Sequence, residues 1–373
     1  MNGKLNKILA FAGIFCGSVA FSQAFADDNT DMSNDSTSST TTTTSYNQIT
    51  PPAGFASAAG IGFSLSADFI YWEARQANLD FAQSGVVNSE TIEIESQGQT
   101  YYPGFQYQPG FKVAAAVDLG HDNWDLSAEY TWLNGSGEKT STSAPHATTT
   151  LQETRLIMNK EYLLAHPTDI TNALLTSTDG NWGFHYNFVD LIMGRDYYIS
   201  QNLTLRPYFG LAGAWNNQSS LVHYLYTGET GSSGLFVSQS YGQKYWGVGF
   251  DSGLNTAWCF NDNWSIYGDF SVMNLWSRFK TYEKQTHNDL SEDLSVITST
   301  DVDYNTEAVQ YGLQNVIDIE MGIRWGMRFD NDSMGISFQA GWDQQVWINH
   351  AKYATNASNL SIQGLDIKAR FDF

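Results

Sequence analysis

LSIQGLDIKARFDF, residues 360–373, closes the chain and alternates almost without a break. Leu365, Ile367, Ala369, Phe371 and Phe373 fall on one face, and Asp366, Lys368, Arg370 and Asp372 on the other. Successive side chains of a strand point to opposite sides, so this is one strand with an apolar wall and a charged wall. A soluble sandwich rarely ends its chain on a buried aromatic residue. A transmembrane β-barrel does so readily, because its closing strand faces lipid outside and water inside.

The same pattern recurs upstream. Ile317, Ile319, Met321, Ile323, Trp325, Met327 and Phe329 alternate with Asp318, Glu320, Gly322, Arg324, Gly326 and Arg328. Further segments cover residues 63–71, 111–119, 124–132, 203–215, 246–260, 264–276 and 336–348. Residues 182–199 are also apolar and aromatic, but Leu191 and Met193 share a face with Arg195, which implies a bulge or a snorkelling side chain. Short polar connections at residues 120–123, 200–202, 261–263 and 330–333 carry the Asn, Asp and Gly that tight turns demand. Between them lie long connections at 74–108, 134–181, 216–243 and 281–314, and a shorter one near Ala351. Residues 151–164 have mixed helical character and could be an inserted segment. The expected fold is therefore all-β, a transmembrane antiparallel barrel of about 10 strands with short periplasmic turns and long extracellular loops. Twelve to sixteen strands stay open, since residues 221–227 and 235–241 read as a hairpin that either extends two strands or adds a pair.

The N-terminal end agrees about the compartment. Lys4 and Lys7 precede an apolar run from Ile8 to Ala20, and Ala24 and Ala26 supply the small residues of a cleavage site, so residues 1–26 read as a secretory signal. A non-cleaved anchor is the rival, although the run is short of the ~20 residues a helical span requires. Residues 27–60, with DSTSSTTTTTS at their centre, read as a low-complexity tail, with an ordered plug as the alternative. The barrel then occupies residues 61–373.

The formal net charge is -21, and cleavage removes two lysines and no acid, giving -23 for the mature chain. That excludes nucleic acid as a partner. Of the 2 cysteines only Cys259 survives cleavage, which excludes a disulfide framework and a cysteine-based zinc site. The 12 Trp, 20 Tyr and 22 Phe fit an aromatic-rich barrel. Trp72, Trp132, Trp182, Trp215, Trp246, Trp276 and Trp347 sit where strands meet long loops, and Trp124, Trp258 and Trp264 flank short turns. Two headgroup-level girdles are expected from that placement, the alternative being core tryptophans of a soluble β-protein.

Four blocks also match a known family: WGVGFDSGLNTAWCFNDNWSIYGDF (residues 246–270), GRDYYISQNLTLRPYFGLAGAW (194–215), SADFIYWEARQANLDFA (66–82) and the terminal strand. Together they resemble the MOMP-like family of legionellae and environmental chlamydiae, which are pore-forming major outer-membrane proteins of Gram-negative bacteria. The resemblance runs from Ser64 to Phe373 with gaps in the long loops. It implies a porin at the cell surface, surrounded by outer-membrane lipid and lipopolysaccharide and able to form a homo-oligomer. Cysteine-rich members cross-link into an envelope, whereas Cys259 alone permits one intermolecular bond at most and reads as an ordinary small residue. The terminal strand resembles the signal read by the outer-membrane assembly machinery, with Gly364, Leu365, Ile367, Phe371 and Phe373 as its elements.

Alternation nominates the lumen wall: Lys112, Asp118, Asp125, Glu129, Arg206, Asp251, Asp269, Asp318, Glu320, Arg324, Arg328, Asp343, Asp366, Lys368 and Arg370. Nine acids against six bases predict passive diffusion of ions and small hydrophilic solutes with a weak cation preference. The competing view is that these charges pair and rigidify a nearly closed barrel. An adhesin or receptor using the long loops on such a barrel is the principal alternative function. No catalytic residue, cofactor or metal is expected. The histidines show no ligand spacing, and Gly247 and Gly249 lie in a strand with no helix after it. A protease is the remote alternative, resting on His287, Asp289, Asp301 and Asp303 in one long loop.

Overall fold

The computed structural model describes residues 62–87, 94–120, 122–137, 139–143, 154–158, 174–200, 202–227, 234–291, 296–329, 334–352 and 357–373. The expected signal, the Ser/Thr-rich tail and the turn at 330–333 lie outside them. The strands are β1 (Gly62–Gln76), β2 (Ala82–Val87), β3 (Ile94–Tyr101), β4 (Tyr107–Asp118), β5 (Trp124–Ser136), β6 (Thr140–Ser143), β7 (Thr154–Met158) and β8 (Leu174–Arg195). They continue as β9 (Tyr197–Tyr198), β10 (Leu203–Thr227), β11 (Leu235–Cys259), β12 (Trp264–Leu290), β13 (Ile297–Phe329), β14 (Met334–Ala351) and β15 (Ser358–Asp372).

Ten of these form a closed antiparallel ring, β1-β4-β5-β8-β10-β11-β12-β13-β14-β15, with β15 returning to β1. Ser64 pairs with Asp372 at one end of that seam and Gln76 with Leu360 at the other. Phe63 and Phe373 exchange two backbone hydrogen bonds of 2.9 Å, so the last residue is tied into the ladder. Closure of the ring leaves no edge between neighbouring wall strands where they pair, which a bilayer requires because lipid cannot satisfy free N–H and C=O groups. Every wall strand pairs with its sequence neighbour, and the ten segments expected from alternation are the ten wall strands.

The short connections lie at the end of the ring that holds Phe63 and Phe373, here the turn end; the long ones lie at the opposite, loop end. Turn chemistry follows the residues: Gly120, Asp122 and Asn123 adopt positive φ. The Asn261 carboxamide oxygen accepts from the N–H groups of Asn263 (3.0 Å) and Trp264 (2.7 Å). The β5–β8 ladder runs from Trp124–Arg195 without a register shift. The apolar segment at 182–199 therefore has no bulge: Arg195 points outward, stacks over Trp124 and Tyr197 at 5.8 and 5.1 Å, and donates to the Asp122 carbonyl.

Two connections expected as loops are strand. Crossing a bilayer takes about 9–11 residues, yet β10 and β11 have 25 each, β12 has 27 and β13 has 33. Residues 221–227 and 235–241 extend β10 and β11 in one continuous ladder, which answers the question of an added pair. Most of residues 281–314 likewise belong to β12 and β13. Polar sequence suffices there, since a ladder bathed by water on its outer side needs no lipid-facing apolar row. Beside these extensions β6 and β7 pair with the upper part of β8, and β2 and then β3 continue the sheet from β7. Residues 154–158, inside the segment of mixed helical character, are thus strand, because β2 and β8 each offer them a pairing edge. Phe81, Leu175, Val222, Tyr224 and Val237 bury one another under this attachment, and the Tyr224 hydroxyl donates to the Phe81 carbonyl at 2.9 Å.

Gly364 faces Trp72 across the closing seam, and a Cβ there would come within 2.7 Å of the Trp72 Cα. Gly364→Val is expected to lower stability by about 1–3 kcal/mol through overpacking. A wild-type urea midpoint for folding into detergent or lipid, followed by gel mobility, would contradict this.

Candidate functional site

Inside the ring the inward row changes character along its length. On β1 it reads Ser64, Ser66, Asp68, then Ile70, Trp72 and Ala74; on β15 it reads Asp372, Arg370, Lys368, Asp366, then Gly364, Ile362 and Leu360. The turn half is charged and the loop half apolar. A cavity of about 1000 Å³ occupies the charged half and reaches the terminal Phe373 and the turn residues Asn261–Asn263. Fourteen of the fifteen lumen residues expected from alternation line it. Asp366 is the exception, held just beyond by Lys112.

The charges are organised by pairing. Lys112 Nζ lies 2.9 Å from Asp343 and 2.8 Å from Asp366, all three almost fully buried. Lys368 Nζ lies 3.0 Å from Asp68 and 3.6 Å from Glu129. Arg206 forks onto Asp125, its Nε at 2.7 Å, and Arg370 reaches Asp372 at 2.7 Å. Tyr208 donates to Asp269 and Tyr267 to Glu320, both at 2.7 Å. Arg324 does not take Asp318 or Glu320 as its partner: its guanidinium sits over the Tyr267 ring at 5.3 Å, and Asp318 accepts from Gln345 at 3.1 Å. Glu320, Asp343 and Asp366 bring carboxylate oxygens within 4.8 Å of one another, a spacing that suits a metal ion. The Lys112 ammonium already neutralises two of the three, so the donors are taken.

Four further acids line the same cavity: Asp372, which alternation puts on the charged face of the closing strand, and Asp190, Asp196 and Asp262, which alternation does not reach. Asp190 escaped because the register of β8 was ambiguous, and it stands directly opposite Glu129. The cavity wall thus carries twelve acids and six bases. Cys259 also lines it near the turn end and is unpaired.

Above the charges lies a layer that the expected polar lumen did not include. Tyr186 donates to Gln345 at 3.0 Å and stacks edge-on against Trp347, which packs edge-on against Tyr245 and His350. Trp182, Phe184, Tyr186 and Phe188 form one continuous stack along β8. Lys112 joins the two halves, its ammonium 4.7 Å from the Trp72 ring centre. Three tryptophans assigned to the loop-end girdle are therefore corrected: Trp72, Trp182 and Trp347 point inward, at 1%, 3% and 0% exposure. Each shares its parity with the lumen charges of its own strand or with inward neighbours, as Trp347 does with Asp343 and Gln345. Trp132, Trp215, Trp246 and Trp276 face outward as expected, as do Trp258 and Trp264 near the turns.

The residues expected to form the terminal signal divide between the faces. Leu365, Ile367, Phe371 and Phe373 are exposed on the outer wall, whereas Gly364 faces inward beneath Trp72. His287 and Asp303 are held by the β12–β13 ladder rather than by a loop. The ring Nδ1 lies 2.5 Å from the carboxylate, which also accepts from Gln285 at 2.8 Å. Asp301 stands 3.9 Å from the other ring nitrogen, and Asp289 accepts from Ser299.

The sequence matches the family model described as Legionella pneumophila major outer membrane protein precursor over residues 56–373. The chain belongs to this family. It is accordingly an outer-membrane β-barrel protein, as the resemblance and the alternation both implied. No curated protein matches the sequence. Among solved structures, a major outer membrane protein from Thermus thermophilus is similar at 13% identity, with 84% of this chain and 99% of that chain covered and a TM-score of 0.24. The toluene transporter TodX of Pseudomonas putida shows 9% identity over 84% and 89%, at 0.25. The outer membrane channel DcaP of Acinetobacter baumannii shows 10% over 86% and 100%, at 0.14. Values this low transfer neither substrate nor mechanism to this family member.

Lys112 is the buried cation between two buried acids, so Lys112→Met leaves both uncompensated. A loss of about 3–5 kcal/mol in unfolding free energy is expected. An unchanged urea midpoint would show that Asp343 and Asp366 do not depend on it.

Proposed function

We propose that this protein is an outer-membrane channel for ions and small hydrophilic solutes that rests closed and prefers cations when open. Its turns face the periplasm and its loop end the cell surface, as in other barrels with short turns and long connections. The carrying observation is the two-to-one excess of acids over bases around a cavity that reaches the turn end. Acids in a confined low-dielectric space concentrate cations and exclude anions. The aromatic layer is the barrier. It buries the indole N–H groups of Trp72, Trp182 and Trp347, and among the described residues no side chain or carbonyl accepts from them. The outward row of β15, ending in Phe373, is the handle we assign to the assembly machinery. No catalytic step is assigned.

A second reading has its own support. The extensions of β10–β13 and the apolar cluster under β2 and β7 make an elaborate structure at the loop end, as an adhesin or receptor on a closed barrel would need.

Planar-bilayer recording separates the two. Wild-type protein should give infrequent small steps whose reversal potential in a KCl gradient has the cation sign. The Trp347→Ala, Tyr245→Ala double variant should conduct persistently, with about tenfold greater mean current. Silence from both proteins, each folded, would discard the channel and leave the receptor.

A further inference from the structure

The outer wall changes from apolar to basic within one step along the strands, at the loop end of β11, β12 and β13. Val248, Trp276 and Leu313 form one cross-strand row, all exposed. The next outward row is Trp246, Arg278 and Tyr311, and the one above it is Lys244, Lys280 and Val309. Lys284 follows two rows further on. Trp246 and Trp276 meet edge to face at 5.6 Å, and Trp276 stacks on Tyr311 at 5.9 Å, so the girdle is a packed platform here. Indole and phenol settle at headgroup level. Each row adds about 3.4 Å along the strand, which sets Arg278, Lys244 and Lys280 at the depth of the headgroup phosphates.

Two features distinguish this patch from scattered surface charge. Lys244 and Lys280 are direct cross-strand partners, and like charges placed so repel each other unless an anion lies between them. The patch is also under-neutralised within an acidic protein. Elsewhere towards the loop end Arg75 is held by Glu73 and Lys139 by Asp179. Here the acid facing the four bases, among the described outward positions, is Glu307, bound to Lys280 at 2.8 Å. Two ammonium groups and a guanidinium above an aromatic platform match a ligand with phosphates at its head and acyl chains below.

We infer that Lys244, Arg278 and Lys280 form a binding site for the phosphate groups of a phosphorylated glycolipid in the leaflet at the loop end, with Trp246, Trp276 and Tyr311 against its acyl chains. The site deepens the proposed placement of the loop end at the cell surface and rests on it.

The test uses the full chain in phosphatidylcholine nanodiscs doped with bisphosphorylated lipid A, extracted and weighed by native mass spectrometry. Wild-type protein should retain lipid A, and the Lys244→Gln, Arg278→Gln, Lys280→Gln variant should retain at least about tenfold less. Arg195→Gln, at the turn end, should retain it as wild type does, and folding is checked by heat-modifiable gel migration. If the triple variant does not fold, Lys244→Gln alone should show a smaller loss in the same direction. Equal retention by folded wild-type and variant proteins, or equal retention of dephosphorylated lipid A, would overturn the site. Displacement by inorganic phosphate would overturn it as a lipid site and leave a free-anion site. Orientation is read separately, from antibody access in intact cells to an epitope placed between β10 and β11. Exclusion of the antibody would overturn the outward placement, and with it the glycolipid as the natural ligand, whatever the nanodiscs show.

Discussion

A bilayer offers no partner to a free backbone N–H or C=O, and this constraint governs the rest of the molecule. The ten wall strands meet it by closing, and the seam between β1 and β15 runs from the first strand residues to the last. Closure fixes the parity of every wall residue at once. Outward positions between the two girdles must suit hydrocarbon, and inward positions are then free to carry charge. A one-residue slip of β15 alone would turn Asp366, Lys368 and Arg370 towards lipid, so the alternation is as much a register constraint as a solubility one.

The inward row need not be polar throughout, and here it is not. Gly364 marks the switch: below it β15 sends Asp366, Lys368 and Arg370 inward, and above it Ile362 and Leu360. The missing side chain at 364 makes the room that Trp72 fills from the facing strand. Lys112 sits at the boundary, bound to two carboxylates on one side and lying over an indole on the other. An ion pair this deeply buried is expensive to break, so the boundary has a fixed position. The layer above it owes its stability to aromatic contacts, each worth about 0.5–1.5 kcal/mol, and is softer. A rigid charged half beneath a more yielding apolar half is the arrangement from which the channel reading follows.

Much of this was legible in the sequence. The ten wall segments and their outward faces follow from a period of two applied to strands such as 317–329, and the same parity turns the nominated charges inward. The upper lumen was not read, although its signal was present. In LSIQGLDIKARFDF, Leu360 and Ile362 fall out of phase with Leu365 and Ile367, and that change of phase is the change from an apolar inside to an apolar outside. The position of Trp72, Trp182 and Trp347 at strand ends suggests a girdle, whereas parity with Ile70, Phe184 and Gln345 places them inside. The polar extensions of β12 and β13 were hidden for a different reason: above the membrane neither composition nor alternation distinguishes a solvated ladder from a loop, and only pairing does. Asp190 was lost to an ambiguous register that Arg195, by snorkelling outward, created.

The change of phase at Gly364 is the central claim, and cysteine accessibility reads it directly. In a Cys259→Ser background, Ser66→Cys and Ile362→Cys place a thiol in the charged half and in the apolar layer. A membrane-impermeant maleimide applied to reconstituted protein should modify the first rapidly and leave the second unmodified. Comparable rates at the two positions would mean that water fills the whole lumen, and would contradict the account.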